Sequence, residues 1–175
     1  MKNYDELLSL AQQGDAQAQY DIAYMLYYGK GIEKNRPEAL KWYIKSSDGG
    51  NVHARYEAGS MYYYGKGTEA DKLKAFMYYL KAAEADDVQA QLEVATMFRY
   101  GEAVATDEKK ALYWYLKAAQ RGNARAQYEA GHMYFYGIGT SVDRAKALKW
   151  YSKAAEQGDP QAQLEVSLLT QWQEE

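Results

Sequence analysis

The sequence predicts an all-α fold, a right-handed α-α superhelix (solenoid) built from stacked helical hairpins. Blocks of related sequence recur every 36 residues, and each block carries helix-capping residues at two fixed places. Small residues also recur at fixed places where two helices would touch. A hairpin of this size cannot bury its apolar stripe alone, so neighbouring hairpins have to stack into an array.

Three motifs keep the same spacing, which chance does not explain. The first is a turn residue followed by a helix cap, and it starts at Gly14, Gly50, Asp86, Gly122 and Gly158. The second is a Tyr-Gly pair, and it starts at Tyr28, Tyr64, Tyr100 and Tyr136. The third is Ala-x-x-aromatic-Tyr, and it starts at Ala39, Ala75, Ala111 and Ala147.

Each repeat contains two predicted helices, which we call helix A and helix B. Helix A begins after an Asp or Asn cap and runs to the aromatic residue before a glycine such as Gly29. Glycine can take the left-handed conformation that ends a helix. Helix B begins after a second cap, such as Asn35, and carries the aromatic-Tyr motif.

We therefore predict one solenoid domain over residues 1–175. Residues 1–13 form a half repeat of the helix B type, and residues 158–175 form a C-terminal capping helix. The full repeats cover 14–49, 50–85, 86–121 and 122–157. The third is the least regular, because Asp86 and Ala103 stand where the other repeats have glycine. We expect the array to open there first.

The composition excludes several classes of function. Lys and Arg total 21 against 24 Asp and Glu, so the net charge of −3 offers no basic surface to nucleic acid. Without Cys, the chain has no disulfide, thiolate metal site or cysteine nucleophile. No apolar stretch is long enough to span a bilayer, and no signal-peptide run is visible. We predict a cytoplasmic protein without membrane contact, although a mature secreted chain recloned with a new Met would look the same.

These motifs resemble the Sel1-like repeat family, a relative of the tetratricopeptide repeat. The last full repeat carries the family motif throughout, at Ala126, Ala130-Gly131, Tyr134, Gly137-Ile138-Gly139, Ala147, Trp150-Tyr151, Ala154-Ala155 and Gly158. The resemblance implies a scaffold, adaptor or regulator of protein complexes, mostly bacterial in small forms such as this one. It also implies an alternative, an immunity protein that neutralises a toxin by binding it.

One face of helix A is the candidate partner-binding site. At 100° per residue, this face lies opposite the apolar stripe. The analogy with tetratricopeptide arrays places it on the concave side of the superhelix. The candidate residues are Gln17, Asp21, Tyr24, Tyr28, His53, Glu57, Tyr64, Glu93, Tyr100, Arg125, Glu129, His132 and Tyr136. We call Asp21, Glu57, Glu93 and Glu129 the acidic set, and Tyr28, Tyr64, Tyr100 and Tyr136 the tyrosine set. The two registers continue to Glu165 and Trp172.

Two interpretations of these sets remain open at the level of sequence. In one, the tyrosines pack into the next repeat and the acids pair with nearby cations such as Arg55 or Arg125. In the other, the carboxylates attract another protein or an extended peptide of basic character, and the tyrosines supply contact area. The resemblance favours binding at the tyrosine set, because the family is usually polar or variable there.

The sequence supports no catalytic site. The only histidines, His53 and His132, lie two repeats apart at different helical positions, which argues against a zinc site made by a histidine pair. No nucleophile, P-loop or zinc-protease motif occurs. We predict no catalytic residue, no metal ligand and no cofactor. A binder or hydrolase of cell-wall fragments or β-lactams remains an alternative, because flat sugar faces also stack on Tyr and Trp.

Both ends of the chain are more apolar than a polar cap requires. The apolar residues are Leu7, Leu8 and Leu10 near one end, and Leu164, Val166, Leu168, Leu169 and Trp172 near the other. Self-association through the terminal helices is therefore a further hypothesis.

Overall fold

The structure is a computed structural model that describes residues 4–171, and all the regular secondary structure in this part of the chain is α-helical. The helices are α1 (Tyr4–Gln12), α2 (Ala16–Tyr28), α3 (Arg36–Asp48), α4 (Val52–Tyr64), α5 (Lys72–Glu84), α6 (Val88–Tyr100), α7 (Glu108–Gln120), α8 (Ala124–Tyr136), α9 (Arg144–Glu156) and α10 (Pro160–Gln171). Even numbers correspond to helix A and odd numbers to helix B. Trp172 lies outside the described residues.

The chain divides into two compact units, residues 1–90 and 91–175, with the division inside α6. In the N-terminal unit, the core is formed by α1 to α4, with partly buried tyrosines such as Tyr62 and Tyr78 packed against it. In the C-terminal unit, a core around Tyr151 and Leu169 joins α9 to α10. The prediction of a single domain stays a prediction.

The predicted helix caps are confirmed. Asp15 accepts a hydrogen bond from the Ala18 amide at 2.7 Å, and α2 ends where Gly29 takes a φ of 74°. An N-cap side chain fills one of the amide positions that a helix start leaves unpaired. The same type of bond is made at Asn51, Asp87, Asn123 and Asp159 before helix A, and at Asn35, Asp71, Asp107 and Asp143 before helix B.

Within a hairpin, a tyrosine of helix B lies against a small residue of helix A. A Cβ atom on Gly59 would come within 2.7 Å of the Tyr79 ring. In the C-terminal unit, a Cβ atom on Gly131 would come within 2.8 Å of the Tyr151 ring. Both tyrosine side chains are buried. The two helices can approach this closely only because helix A carries no large side chain at this position.

In two of the repeats, a glutamine side chain of helix A is hydrogen-bonded to the main chain of the preceding helix B. Gln19 Nε2 donates to the Ala11 carbonyl at 3.0 Å, and Gln127 Nε2 donates to the Ala119 carbonyl at 3.1 Å. Both glutamine side chains are buried. Each of these carbonyl groups also accepts a backbone amide, from Gly14 and Gly122 at 3.1 Å, so the glutamine adds a second hydrogen bond at the end of helix B.

The third repeat has the irregular turns that its sequence indicates. Asp86 and Ala103 take φ values of 65° and 67°, and they are the non-glycine residues with positive φ in the described part of the chain. A side chain disfavours this left-handed conformation, so both turns carry strain that glycine would relieve. The early opening of this repeat stays a prediction.

No helix within residues 4–171 has the length and apolar character needed to cross a membrane.

We expect Ala103→Gly to stabilise the C-terminal unit by about 1 kcal/mol, because the left-handed conformation costs an L-residue about 1–2 kcal/mol. Urea unfolding followed by circular dichroism measures the change. Gly139→Ala is the matched control and should lower the stability. Gly139 has a φ of 68°, and a Cβ atom added there would collide with the Glu108 carbonyl oxygen. Equal or lower stability of Ala103→Gly would contradict the assignment of strain to this turn.

Candidate functional site

In the N-terminal unit, side-chain amides order the beginning of the candidate surface. Asn51 Nδ2 donates to Gln17 Oε1 at 3.3 Å, and Gln17 Nε2 donates to Asp21 Oδ1 at 2.8 Å. Asn51 is also the N-cap of α4. A cap of one helix A therefore fixes, through Gln17, the first carboxylate of the acidic set.

Tyr24 and Tyr28 form an aromatic pair that the following loop covers with a cation. Their ring centroids lie 4.6 Å apart. Lys30 Nζ donates to Tyr24 Oη at 2.8 Å and lies 4.5 Å from the Tyr24 ring centroid. Lys66 Nζ lies in the same way 4.8 Å from the Tyr64 ring centroid in the next repeat. An ammonium group above an aromatic ring is attracted to the negative face of that ring.

His53 and Glu57 lie one turn apart on α4 and differ in exposure. His53 is exposed, and its Nδ1 lies 3.6 Å from Asp87 Oδ2. Glu57 is half-buried, and burial raises the pKa of its carboxyl group. Lys66 and His53 act in the opposite direction, but burial is the largest influence on this pKa.

In the C-terminal unit, the candidate surface contains an arginine that the sequence analysis did not select. Arg99 Nη2 donates to His132 Nδ1 at 3.4 Å, and the Arg99 guanidinium lies 5.8 Å from the Tyr100 ring centroid. The Nε and Nη1 atoms of Arg99 are buried and have no hydrogen-bond acceptor among the described residues. Burial and the Arg99 charge lower the pKa of His132, and both disfavour the charged imidazolium.

Glu93 and Glu129 repeat the environment of Glu57. Both are half-buried, and burial is the largest influence that raises the pKa of each carboxyl group. Arg125 acts in the opposite direction on both, and Arg99 also acts on Glu129. Among the residues that the structure describes, none of these glutamates has a cationic side chain within ion-pairing distance. Their carboxylates are therefore partly desolvated without a paired charge.

The tyrosine set is largely exposed. Tyr28, Tyr64, Tyr100 and Tyr136 have exposed fractions of 53%, 62%, 61% and 58%. These values differ from those expected for rings packed into a neighbouring repeat. Arg55, a cation considered as a partner for the acids, donates instead to the Lys81 carbonyl at 3.4 Å. The geometry is that of a surface with available aromatic area.

The predicted site contains recurring residues such as Glu57 and varying ones such as His53 and His132, but it does not contain Arg99. Arg99 occupies the register of Tyr27, Tyr63 and Phe135, where the other repeats are aromatic. A charged residue in an otherwise aromatic register was the available signal. The lysines of the loops, Lys30 and Lys66, lie outside helix A and were not considered.

The side chains of the candidate surface can bind a partner, but within the described residues they do not form a metal site. Within residues 4–171, no cluster of three or more His, Asp or Glu side chains is placed to hold a metal ion. His53 lies beside Asp87 and His132 beside Arg99, and neither contact is between a base and a nucleophile. Aromatic rings, carboxylates and amides of this kind are typical of protein-binding surfaces.

The model of the Sel1 repeat matches four consecutive segments, residues 16–51, 52–87, 88–123 and 124–159. The chain belongs to the Sel1 repeat family. Sel1 repeat proteins are generally protein-interaction modules. Among curated proteins, none matches the chain.

Solved structures of this family share the fold of the chain. A Sel1 repeat protein from Oxalobacter formigenes is 35% identical, with a TM-score of 0.88, over 95% of this chain and 48% of that one. The protein c5321, a protective antigen of uropathogenic Escherichia coli with an SLR fold, is 33% identical, also with a TM-score of 0.88, over 93% of this chain and 35% of that one. The predicted fold class, an all-α Sel1-like solenoid, is confirmed. The chain spans about a third to a half of the length of these two proteins.

A more distant match is an immunity protein. Pa5087 of Pseudomonas aeruginosa is 25% identical to this Sel1 repeat protein, with a TM-score of 0.54, over 91% of this chain and 59% of that one.

We expect the triple variant Glu57→Gln, Glu93→Gln and Glu129→Gln to be more stable than the parent at pH 7. The pKa of each carboxyl group is raised in the folded state, so the folded chain binds more protons than the unfolded chain. The protonated groups do not destabilise the fold below about pH 4. As the pH rises and the groups ionise, the free energy of unfolding decreases. Glutamine removes this penalty. Thermal unfolding at pH 7 and pH 4 should show the gain only at pH 7.

The exposed Glu156 provides the control for this comparison, because Glu156→Gln removes a carboxylate that is not half-buried. A triple variant that is less stable than the parent at pH 7 would show that the three carboxylates stabilise the fold.

Proposed function

We propose that this Sel1 repeat protein is a non-catalytic adaptor or regulator that binds a basic protein or extended peptide through the helix A surface. The supporting observation is the combination of exposed tyrosines with half-buried glutamates that have no paired cation. Neither feature stabilises the isolated chain. Both would contribute once a partner covers the surface.

The tyrosine set supplies the contact area. Each ring is more than half exposed and lies beside a second ring or a cation of its own repeat, as Tyr28 lies beside Tyr24 and Tyr64 beneath Lys66. A ring held in this way loses little further side-chain freedom on binding, because part of that freedom is already lost. Tyrosine is accordingly frequent among residues that dominate interface energies.

The glutamates set the charge of the partner. A carboxylate that has already lost part of its hydration gains more from an incoming ammonium or guanidinium group than a fully hydrated carboxylate does. Glu57, Glu93 and Glu129 therefore favour a segment that contains Lys or Arg. Binding of such a segment would lower the pKa of these carboxyl groups toward their ordinary value.

Arg99 distinguishes the C-terminal unit. Its buried Nε and Nη1 atoms lack acceptors within the described chain, whereas its Nη2 atom is bonded to His132. Because these two atoms are buried, a partner cannot reach them, and the Arg99 charge opposes the raised pKa of the nearby Glu129.

The similarity to the immunity protein Pa5087 favours a second candidate, in which the partner is a toxin that is neutralised by binding. Both candidates use the same surface, and they differ in the identity of the protein that binds.

We expect Glu57→Lys, Glu93→Lys and Glu129→Lys together to abolish recovery of the main partner in an affinity pull-down from a lysate of the source organism, read by mass spectrometry. Reversal of three partly desolvated charges repels a basic segment. The control carries Glu69→Lys, Glu84→Lys and Glu156→Lys, which change the net charge equally at three exposed positions. Equal recovery by both variants would place the binding site elsewhere.

We expect alanine at Tyr64 and Tyr136 to weaken binding of that partner about tenfold or more at each position, as measured by isothermal titration calorimetry with the identified protein. The two side chains are exposed, so the melting temperature should change little. Tyr113→Ala is the control, because Tyr113 is a similarly exposed tyrosine on helix B. Unchanged affinity in both helix A variants would contradict a role of the tyrosine set.

A further inference from the structure

The loop after α4 places a lysine of the chain on the candidate surface of the N-terminal unit. Lys66 Nζ lies 4.8 Å from the ring centroid of Tyr64, a side chain that is 62% exposed. Burial raises the pKa of the Glu57 carboxyl group and of the Tyr28 hydroxyl group, and the Lys66 charge opposes the rise in both. Such an influence decreases with distance. The Lys66 ammonium group therefore lies close to one carboxylate and two rings of the tyrosine set.

The main chain of this loop is fixed, whereas the Lys66 side chain is held weakly. Gly65 has a φ of 64° and ends α4, and a Cβ atom on Gly67 would come within 2.6 Å of the main-chain carbonyl carbon of Arg36. By contrast, Lys66 Nζ makes no hydrogen bond or ion pair with any residue between 4 and 171. The tyrosine ring is the contact that positions its charge, and another cation could take its place.

The loop after α2 carries a lysine with the same kind of contact. Lys30 Nζ donates to Tyr24 Oη at 2.8 Å and lies 5.7 Å from the Tyr28 ring centroid. Lys30 and Lys66 occupy the same position of consecutive repeats, and the later repeats have Glu102 and Ile138 there. An ammonium group of the chain itself therefore covers tyrosine rings in both loops of the N-terminal unit.

The Lys66 contact satisfies the aromatic ring but leaves the carboxylate unpaired. Glu57 is half-buried and has no cation within ion-pairing distance among the described residues, although Lys66 influences its pKa. Since the loop is anchored on α3, Lys66 cannot follow its side chain toward the carboxylate. A lysine on a separate chain is not restricted in this way, so it can contact the Tyr64 ring and pair with Glu57 at the same time.

We propose that Lys66 occupies a binding site for a primary ammonium group, and that a lysine side chain of the partner displaces it. This inference rests on the proposed function, because it specifies how the helix A surface takes a basic segment. The exchange keeps the contact with the Tyr64 ring and adds an ion pair with Glu57. Lys66 is then a specificity-determining residue, since a segment that cannot pair with Glu57 gains nothing from displacing it.

An acidic partner fits this site less well. An acidic segment could pair with Lys66, but its charge would then lie near the carboxylates of Glu57 and Asp87, which are close enough to influence each other. Like charges brought together in this way oppose association. The charges of the site therefore favour a cationic ligand.

NMR titration with capped hexalysine tests the displacement through the signals of Glu57 and Tyr64. Lys66→Met should bind hexalysine about threefold more tightly or better at these signals, because no ammonium group has to leave the ring. Lys45→Met is the matched control, because it removes the same charge from the same unit. Lys45 Nζ lies 4.2 Å from the Trp42 ring centroid on helix B. Binding to Lys66→Met that is no tighter than binding to Lys45→Met overturns the inference.

The same titration separates this inference from the proposed function. If hexalysine shifts the Glu57 and Tyr64 signals equally in both variants, the displacement of Lys66 is wrong and a basic partner is still supported. If hexalysine shifts neither signal in the parent or the variants, both proposals are wrong. Tighter binding of hexaglutamate than of hexalysine would overturn the assignment to an ammonium group. Tighter binding of spermine, which carries ammonium groups without a peptide chain, would overturn the assignment to a protein segment.

The titration of the Glu57 carboxyl carbon provides a second test. Lys66→Met should raise the pKa of Glu57, because Lys66 opposes the effect of burial on that group. Saturating hexalysine should lower the pKa of Glu57 again in this variant, since the new ammonium group pairs with the carboxylate. Lys45→Met should leave the pKa unchanged. A pKa of Glu57 that hexalysine does not lower in Lys66→Met would contradict the exchange of one lysine for another.

Discussion

The contact between a helix B tyrosine and a small helix A residue is the constraint on which the hairpins depend. Gly59 and Gly131 leave the space that the rings of Tyr79 and Tyr151 fill, so a larger residue at either glycine would separate the two helices. The contact also fixes the rotation of helix A. With its small residues turned toward helix B, helix A has the tyrosine set on its exposed side.

That rotation places acids in an environment that is unfavourable to them. Glu57, Glu93 and Glu129 are half-buried, and the cations that influence them lie beyond ion-pairing distance. A chain selected for stability alone would carry amides there. Binding sites commonly contain residues that lower the stability of the free protein, because function and stability place different demands on the same positions.

The periodic features and the irregular turns at Asp86 and Ala103 were predictable from sequence, and the contact of Arg99 was not. Caps such as Asp15 and Asn123 and the helix-ending Gly29 follow from local rules, so the helices could be placed within a residue or two. The tyrosine set and the acidic set follow from register. Arg99 could not be placed, because its contact with His132 depends on packing between two helices far apart in sequence. The division of the chain into two units has no counterpart in the repeat pattern.

The glutamines that bond back to the preceding helix B also determine how the chain comes apart. If one hairpin unfolds, the carbonyl bonded by Gln19 or Gln127 loses one of its two donors, and the neighbouring apolar stripe is exposed to water. Adjacent hairpins are therefore energetically coupled, and the stability of the array is a sum of hairpin stabilities and nearest-neighbour interface energies. The sharpness of the unfolding transition therefore reports the strength of that coupling.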